Sequence, residues 1–306
     1  MKPAETSEPA ARPADGESGT LTVSCIILTQ GDRPDELKRA VSSVQDQRGD
    51  PVEIMVVVNG GAAIDPPPGV RTVRLPENAG VPGGRNVGVE ATNGDVVLFL
   101  DDDGWLPDKD TAQRLRTMFH SRPSLGIVSF RIVDPDTGIT QRRHVPRLRV
   151  DDPERSSDVT SFLGGACAIR RTVLNECGGL PATFFYSHEE IDLGWRVLDA
   201  GYDLRYDAGS IMYHPRTEPS ERHPSFYFNN ARNRVWLARR RLPAVLIPVY
   251  LGTWTAISVM RHRQLSSLRE WFRGFAEGWR SDPGPRRPIR WRTVWRMTRL
   301  GRPPVI

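Results

Sequence analysis

Only three cysteines occur in the 306 residues, Cys25, Cys167 and Cys177. An odd number without metal-ligand spacing excludes a disulfide framework and a cysteine-based zinc motif, and favours a reducing compartment. The three read as small core residues. The first twenty residues lack any apolar run. Rich in Pro, Ala, Glu, Ser and Gly, they form neither a signal peptide nor a membrane span and are expected to be disordered. Lysine is absent from Ala231 to Ile306, where 17 Arg face 3 acidic residues for a net +14; the other 25 basic and 34 acidic residues leave residues 1–230 at −9. The overall +5 therefore hides an acidic body and a strongly basic tail. No internal repeat recurs at a fixed period.

The apolar residues, 38% of the chain, are gathered in strand-like runs. Residues 22–29 and 52–58 read as strands, 34–46 as a helix through Leu37, Val41 and Val44, 70–75 as a short strand, and 80–92 as a Gly-rich turn and helix. A further strand, Val96 to Leu100, ends in Asp101-Asp102-Asp103. Residues 134–161 are polar and form a long excursion, after which regular structure resumes over 161–170. A helix over 171–177 closes at Gly178-Gly179, and a better-marked one runs from Glu189 to Gly201. Strands alternating with helices predict an α/β fold: a parallel sheet covered on both faces, with ligands at the carboxyl ends of its strands. The Asp triplet lies at such an end.

Three like charges at one strand terminus repel, so a cation is expected to compensate them. Alternation puts Asp101 and Asp103 on one side and Asp102 on the other. Two hard oxygen ligands suit Mg²⁺ or Mn²⁺, above all when a phosphate completes the coordination. The competing reading is a solvated acidic turn before Gly104.

The order of motifs resembles glycosyltransferase family 2, from about Val23 to Arg216. The markers are Ile26-Ile27-Leu28-Thr29 with Arg33-Pro34; Val57-Val58-Asn59-Gly60; Pro76-Glu77-Asn78-Ala79-Gly80 with Gly83-Gly84-Arg85-Asn86-Val87-Gly88; Phe99-Leu100-Asp101-Asp102-Asp103; Gly164-Gly165-Ala166; and Phe184-Phe185-Tyr186-Ser187-His188-Glu189-Glu190-Ile191-Asp192-Leu193 with Arg196. The resemblance implies a GT-A fold, a Rossmann-like, mostly parallel sheet flanked by helices, and an inverting transfer of a sugar from a nucleotide-diphosphate donor. It implies that Asp103 binds the metal bridging the two phosphates and that Asp101 contacts the ribose or the metal shell, with His214 as a further ligand or a structural histidine. Glu190 takes the place of the base that activates the acceptor hydroxyl, with Glu189 or Asp192 as alternates. The bland reading is that these acids complement a helix dipole and that Asp192 pairs with Arg196. Thr29, Arg33, Asn59, Asn78, Arg85, Asn86, Asp101 and Asp102 fall on the nucleotide-sugar side, and Gly164, Gly165 and Ala166 on the acceptor side. Relatives often carry Asp after the second strand; here Val58 and Asn59 stand there. The spacing GxxGGxxxG of Gly80 to Gly88 is not a dinucleotide fingerprint.

The resulting division is a tail over 1–20, a catalytic domain over 21–230 with a nucleotide half 21–104 and an acceptor half 105–230, and a basic helical extension over 231–306. In the extension, Leu242 to Met260 is 19 residues without a charge. As a helix it reaches about 28 Å, marginal for a core of roughly 30 Å. Arginines flank both ends, which fits a re-entrant or interfacial segment on the cytoplasmic side; the lesser readings are a helix buried against the catalytic domain and a true crossing. Trp271, Phe272, Phe275, Trp279, Trp291 and Trp295 among arginines suit an anionic lipid surface. Nucleic acid is the lesser reading, since no recognised nucleic-acid fold accompanies the charge. The expectation is a peripheral enzyme on the inner face of the cell membrane, using Mg²⁺ or Mn²⁺, a nucleotide-sugar donor, and a glycan or lipid-linked acceptor. Alternatives are a nucleotidyltransferase, against which the missing N-terminal Gly-rich basic loop argues, and a non-catalytic membrane adaptor, against which intact Asp101, Asp103 and Glu190 argue.

Overall fold

A computed structural model describes residues 20–65, 67–148, 152–216, 224–261 and 264–306. The expected disorder of the first twenty residues falls, Thr20 apart, outside the described residues, as do 149–151 of the excursion and the His262-Arg263 part of the basic flank.

Eight strands form one sheet. β1 (Val23–Thr29), β2 (Val52–Asn59), β3 (Arg71–Leu75), β4 (Val96–Asp101), β5 (Leu125–Val133), β6 (Ser157–Asp158), β7 (Ala166–Arg170) and β8 (Asp203–Tyr213) lie in the order β3-β2-β1-β4-β7-β5-β8-β6. β1 pairs parallel with β2 and β4, and its register sets Leu28 opposite Asp101, so these strands end on one edge. Side chains alternate between faces. Cys25, Ile27, Leu98 and Leu100 pack under α1 (Pro34–Gln45) and, through Leu115 and Phe119, α3 (Thr111–Ser121). Ile26, Val57, Val97 and Phe99 face the other layer, where α4 (Arg171–Cys177) and α5 (Glu189–Ala200) contribute Leu174, Leu193 and Trp195. Each fully buried large side chain contributes roughly 1.5–3 kcal/mol. α2 (Gly80–Glu90) lies close on this face: a Cβ on Gly84 would meet Leu28 Cδ1 at 2.4 Å, and one on Gly88 would meet Ile26 Cγ2 at 2.4 Å. Gly84 and Gly88 are there for contact with the sheet.

The sheet is mostly parallel, as the resemblance implies, with two antiparallel strands. β7 runs antiparallel between β4 and β5, and β6 runs antiparallel to β8. The chain leaves β5 at the same edge at which β4 ends, wanders over residues 134–161, and re-enters at that edge, so β7 must run backwards. Its amino end therefore abuts the carboxyl end of β4: the Asp101 N–H donates to Gly165 O at 3.1 Å. Residues 161–165 are loop, not strand.

The basic segment is part of the packed body. α6 (Pro224–Arg241) crosses residue 231, where the charge changes, and places Val235, Trp236 and Leu237 in the core beside α5. α8 (Leu265–Arg280) lies on α6 through Gly274 and Gly278, where a Cβ would meet Phe228 O at 2.1 Å and Val235 Cβ at 2.6 Å. α9 (Trp291–Arg299) docks on the end of α5, with Thr293 and Arg290 bonded to Asp199. Between them α7 (Ile247–Arg261) belongs to an 18-residue stretch, Ala244–Arg261, long and apolar enough to cross a membrane by length and composition. Only Tyr250, Leu251 and Ser258 of α7 are buried, while Val245, Val249, Val259 and Met260 are exposed.

Candidate active site

Every member of the Asp triplet has a cationic partner. Arg85 Nη2 donates to Asp101 Oδ1 at 2.9 Å, Arg33 Nη2 reaches Asp102 Oδ1 at 2.9 Å, and Arg33 Nη1 also pairs with Asp103. His214 arrives at the same edge because β8 ends there; its Nε2 lies 3.1 Å from Asp103 Oδ1. Asp102 points inward and is buried. Burial pushes its carboxyl up to about 6, although the Thr29 hydroxyl and Arg33 oppose this. At Asp103 burial also pushes up, but the imidazole of His214 and then Arg33 outweigh it and hold the group below the ordinary aspartate value. His214 is correspondingly raised: burial opposes its charge, and Asp103 overcomes that.

Asp101, Asp103 and His214 each present one ligand atom, all within 4.8 Å of one another. Two carboxylate oxygens and an imidazole form a donor set that suits Mg²⁺ or Mn²⁺, so the residues fit a divalent ion.

These residues line a cleft of about 430 Å³ with Thr29, Arg33, Asn59, Asn78, Gly80 and Arg85. Asn59 has most of its amide occupied: it donates to Asn78 Oδ1 at 3.0 Å and Gly80 O at 3.1 Å, and accepts from the Ala79 N–H at 2.9 Å. It thus fixes the turn entering α2. Asn86 does not line the cleft. Its amide makes a two-way bond to the Leu180 backbone, at 2.8 and 3.0 Å, tying α2 to the loop after α4.

That loop leads to the acids. Phe185, Ser187 and His188 all hold positive φ, at 62°, 76° and 69°, a strained course that needs external support. The support comes from α6: Asn233 Nδ2 lies 2.8 Å from the carbonyl oxygens of Phe184, Tyr186 and Ser187. Gly80, itself at φ +74°, admits the backbone of Phe185, whose O a Cβ would meet at 2.4 Å. α5 then opens with Glu189 and Glu190. Burial and the neighbouring Glu189 push Glu190 up to about 8, and burial also raises Glu189. Glu189 is buried and its Oε2 has no partner. Arg85 acts on both acids while bonded to Asp101.

Asp192 is placed elsewhere. Fully buried, it accepts from Arg241 at 2.7 and 3.1 Å and from Arg196 at 2.9 Å, with Arg240 at 3.7 Å. It clamps α5 to α6 and is not brought to the cleft. Gly164 and Gly165 sit behind the first site: a Cβ on Gly164 would meet Arg85 Nη1 at 2.6 Å, and one on Gly165 would meet Asp101 Oδ2 at 1.8 Å. Ala166 is buried in β7 opposite Leu100. Gly164 and Gly165 therefore shape the Asp101–Arg85 pair from behind.

Glu190 lines a second cleft of about 530 Å³, walled by the excursion, α7 and the chain's last residues, including Arg142, Trp254, Arg261 and Arg302. None of those four was expected at a site, and neither were Phe185 and Tyr186, which line the first cleft. The aromatic pair stands inside a quoted motif and could have been singled out. Arg302 lies 112 positions from Glu190 in a tail read only as charge, and no sequence signal joins them.

Comparison with known proteins agrees with this geometry. Residues 24–178 match the family described as Glycosyl transferase family 2. The Pre-mycofactocin glycosyltransferase of Mycobacterium tuberculosis is 26% identical over 210 residues, covering 62% of this chain and 42% of that protein; the chain thus spans less than half of that relative's length. Among solved structures, residues 1–349 of S. aureus TarS in complex with UDP-GlcNAc superpose with TM-score 0.60 at 13% identity, covering 90% of this chain and 83% of that one. GalNAc-T7 with UDP, GalNAc and Mn²⁺ gives TM-score 0.61 at 16% identity, covering 87% and 57%. At these identities the structures establish the shared fold, a mostly parallel mixed sheet flanked by helices.

Proposed function

Because the chain belongs to glycosyl transferase family 2, we propose that it moves a sugar from a nucleotide-diphosphate donor to a hydroxyl of a glycan or lipid-linked acceptor, with inversion. The observation that carries this reading is the meeting of Asp101, Asp103 and His214 at the strand ends, with Arg33 and Arg85 beside them and Glu190 in the adjoining cleft.

Arg33 and Arg85 offer fixed positive charge where a leaving diphosphate gathers negative charge. A divalent ion held by Asp101, Asp103 and His214 would neutralise that same charge. Glu190 receives the proton of the acceptor hydroxyl. The acceptor oxygen bonds to the anomeric carbon while the carbon–oxygen bond to the diphosphate breaks, and the electron pair leaves with the nucleoside diphosphate. One displacement from the face opposite the leaving group inverts the centre. Asn59, with part of its amide edge on the cleft, and Asn78 are assigned to the nucleoside end; Glu189 holds Glu190 in its raised state. The exposed apolar face of α7 and the arginine-rich surface around it are assigned to the cytoplasmic face of an anionic membrane.

The test is release of nucleoside diphosphate from a panel of UDP-, GDP- and dTDP-sugars with Mn²⁺ or Mg²⁺. One donor should be consumed, and Asp103→Ala should abolish consumption while circular dichroism shows the fold retained. If no donor is consumed and none raises the melting temperature, the transferase reading fails and the adaptor reading takes its place.

A further inference from the structure

The second cleft gathers several arginines around one acidic side chain, and some of its buried donors have no partner. Arg234, buried on α6, reaches only the Tyr250 hydroxyl, at 3.2 Å; its guanidinium lies 3.7 Å over the Trp254 ring, and its Nε has no partner. Trp254 Nε1 and Arg147 Nε are likewise buried without partners. Arg302 donates to Ser161 Oγ at 2.5 Å, and Arg142 to Leu148 O at 2.6 Å. Among the described residues no carboxylate forms an ion pair with Arg142, Arg147, Arg234, Arg261 or Arg302. Arg142 and Arg261 are exposed and Arg147 and Arg302 partly so, but Arg234 is buried, and buried cations are ordinarily paired and buried donors ordinarily bonded. Here they share one space: Arg302, Trp254 and Ser161 line both the 530 Å³ cleft and an inner recess of about 110 Å³ that also contains Arg234. Burial depresses both Arg234 and Arg302, and each also feels neighbouring arginines. An anion with several acceptor oxygens would relieve all of these at once.

We propose that the acceptor carries a phosphate or diphosphate ester, bound in this recess by Arg234 and Arg302, with Arg142 and Arg261 at its mouth and Trp254 donating from its wall. The ester sets the acceptor hydroxyl toward Glu190, the one acidic side chain among the described residues of the cleft wall. This rests on the transferase reading and deepens it by naming the acceptor's chemistry. α7 supplies Trp254, Ile257 and Arg261 to the cleft while exposing Val249, Val259 and Met260. A lipid-borne ester and a water-soluble one share the phosphate chemistry, and the test separates them.

The experiment titrates the whole protein, in EDTA and without donor, with inorganic pyrophosphate and separately with farnesyl diphosphate, following tryptophan fluorescence. Wild type should bind both, and Arg302→Gln and Arg142→Gln should each weaken binding by about tenfold or more. Tighter binding of the farnesyl ester than of pyrophosphate points to a lipid-borne acceptor, and equal binding to a soluble one. The proposal is overturned if wild type binds neither probe. It is also overturned if Arg85→Gln weakens binding and the two cleft variants do not, because the anion then sits in the first cleft. Because no donor is present, a protein that binds the probes through Arg302 yet consumes no donor keeps the anion site and loses the transferase reading.

Discussion

The two clefts are built on opposite electrostatic terms. In the first, each carboxylate of the triplet has a cation within reach, from Arg85, Arg33 or His214, and the charges nearly cancel. In the second, arginines gather with a single glutamate and several of their donors lack partners. A balanced site is stable as it stands and reorganises around what enters. An unbalanced one holds its charge only because the surrounding fold makes it, at a cost of the kind associated with unpaired buried groups. The first cleft is therefore read as the donor side, where a metal and a diphosphate arrive together as a nearly neutral set. The second is read as the side that waits for an anion.

After the abolition expected of Asp103→Ala, the largest effect should come from Glu190, which lines the second cleft and feels Arg85 of the first. Glu190→Gln removes the base and keeps the shape, and transfer should fall by about 10²–10⁴-fold. Single-turnover transfer to acceptor measures this, with donor affinity by calorimetry unchanged; a loss below tenfold would remove Glu190 from the mechanism and move the role to Glu189.

Next in size is a loss of stability, since Asp192 is the compensated extreme of the molecule. Asp192→Ala leaves three arginines with no acid between α5 and α6, and should cost about 3–5 kcal/mol in a denaturant melt. Burial pushes Asp192 up, but Arg196, Arg241 and Arg240 hold it below the ordinary aspartate value. A depressed folded pKa gives stability that is present above the unfolded value and lost as pH falls through the folded one. The gap between wild type and variant should accordingly shrink in acid, below about pH 4, and a gap independent of pH would mean that packing, not charge, holds the clamp.

A third effect is readable without mutation. With Glu190 pushed up to about 8, the free enzyme carries the base protonated at neutral pH, so kcat/KM should rise with pH and level off above about 8. The same raised value means that the folded state holds this proton more tightly than the unfolded chain does. Its contribution to stability is therefore fully present below the ordinary glutamate value and fades as pH rises toward 8. A profile that is flat from pH 6 to 9 would contradict this placement.

How much of this was legible in the chain differs between the clefts for the same physical reason. Strand ends are set by local alternation, so the triplet, Thr29, Arg85 and the first four strands along the chain could be read from short patterns. The mixed direction of β7 could not, because it depends on where a 28-residue excursion, residues 134–161, re-enters. Asp192 looked like a base because it shares a helical turn with Glu190; its burial is decided by Arg241, 49 residues away. The second cleft joins residues from 142 to 306, and its arginines were read only as surface charge because nothing local distinguishes a buried arginine from an exposed one. The extension itself looked separable by composition, yet Asn233 and Arg241 hold the strained loop and the helix that carry the acids.

The smallest expected effect tests the balance within the triplet itself. Asp102 is the inward member. It is buried and pushed up to about 6, and at the edge of the cleft it pairs with Arg33. Asp102→Asn keeps the volume and still accepts from the Thr29 hydroxyl and Arg33, and it removes a charge that the site already holds at some cost. Because replacing a partner with a neutral acceptor changes a buried hydrogen bond by only about 1 kcal/mol, kcat/KM should change by less than about tenfold, against the abolition expected of Asp103→Ala. Steady-state kinetics of the two variants side by side decide the matter. If Asp102→Asn were as damaging as Asp103→Ala, then Arg33 would be held in place by Asp102 alone, and the triplet would act as one unit instead of two outward ligands and an inward support.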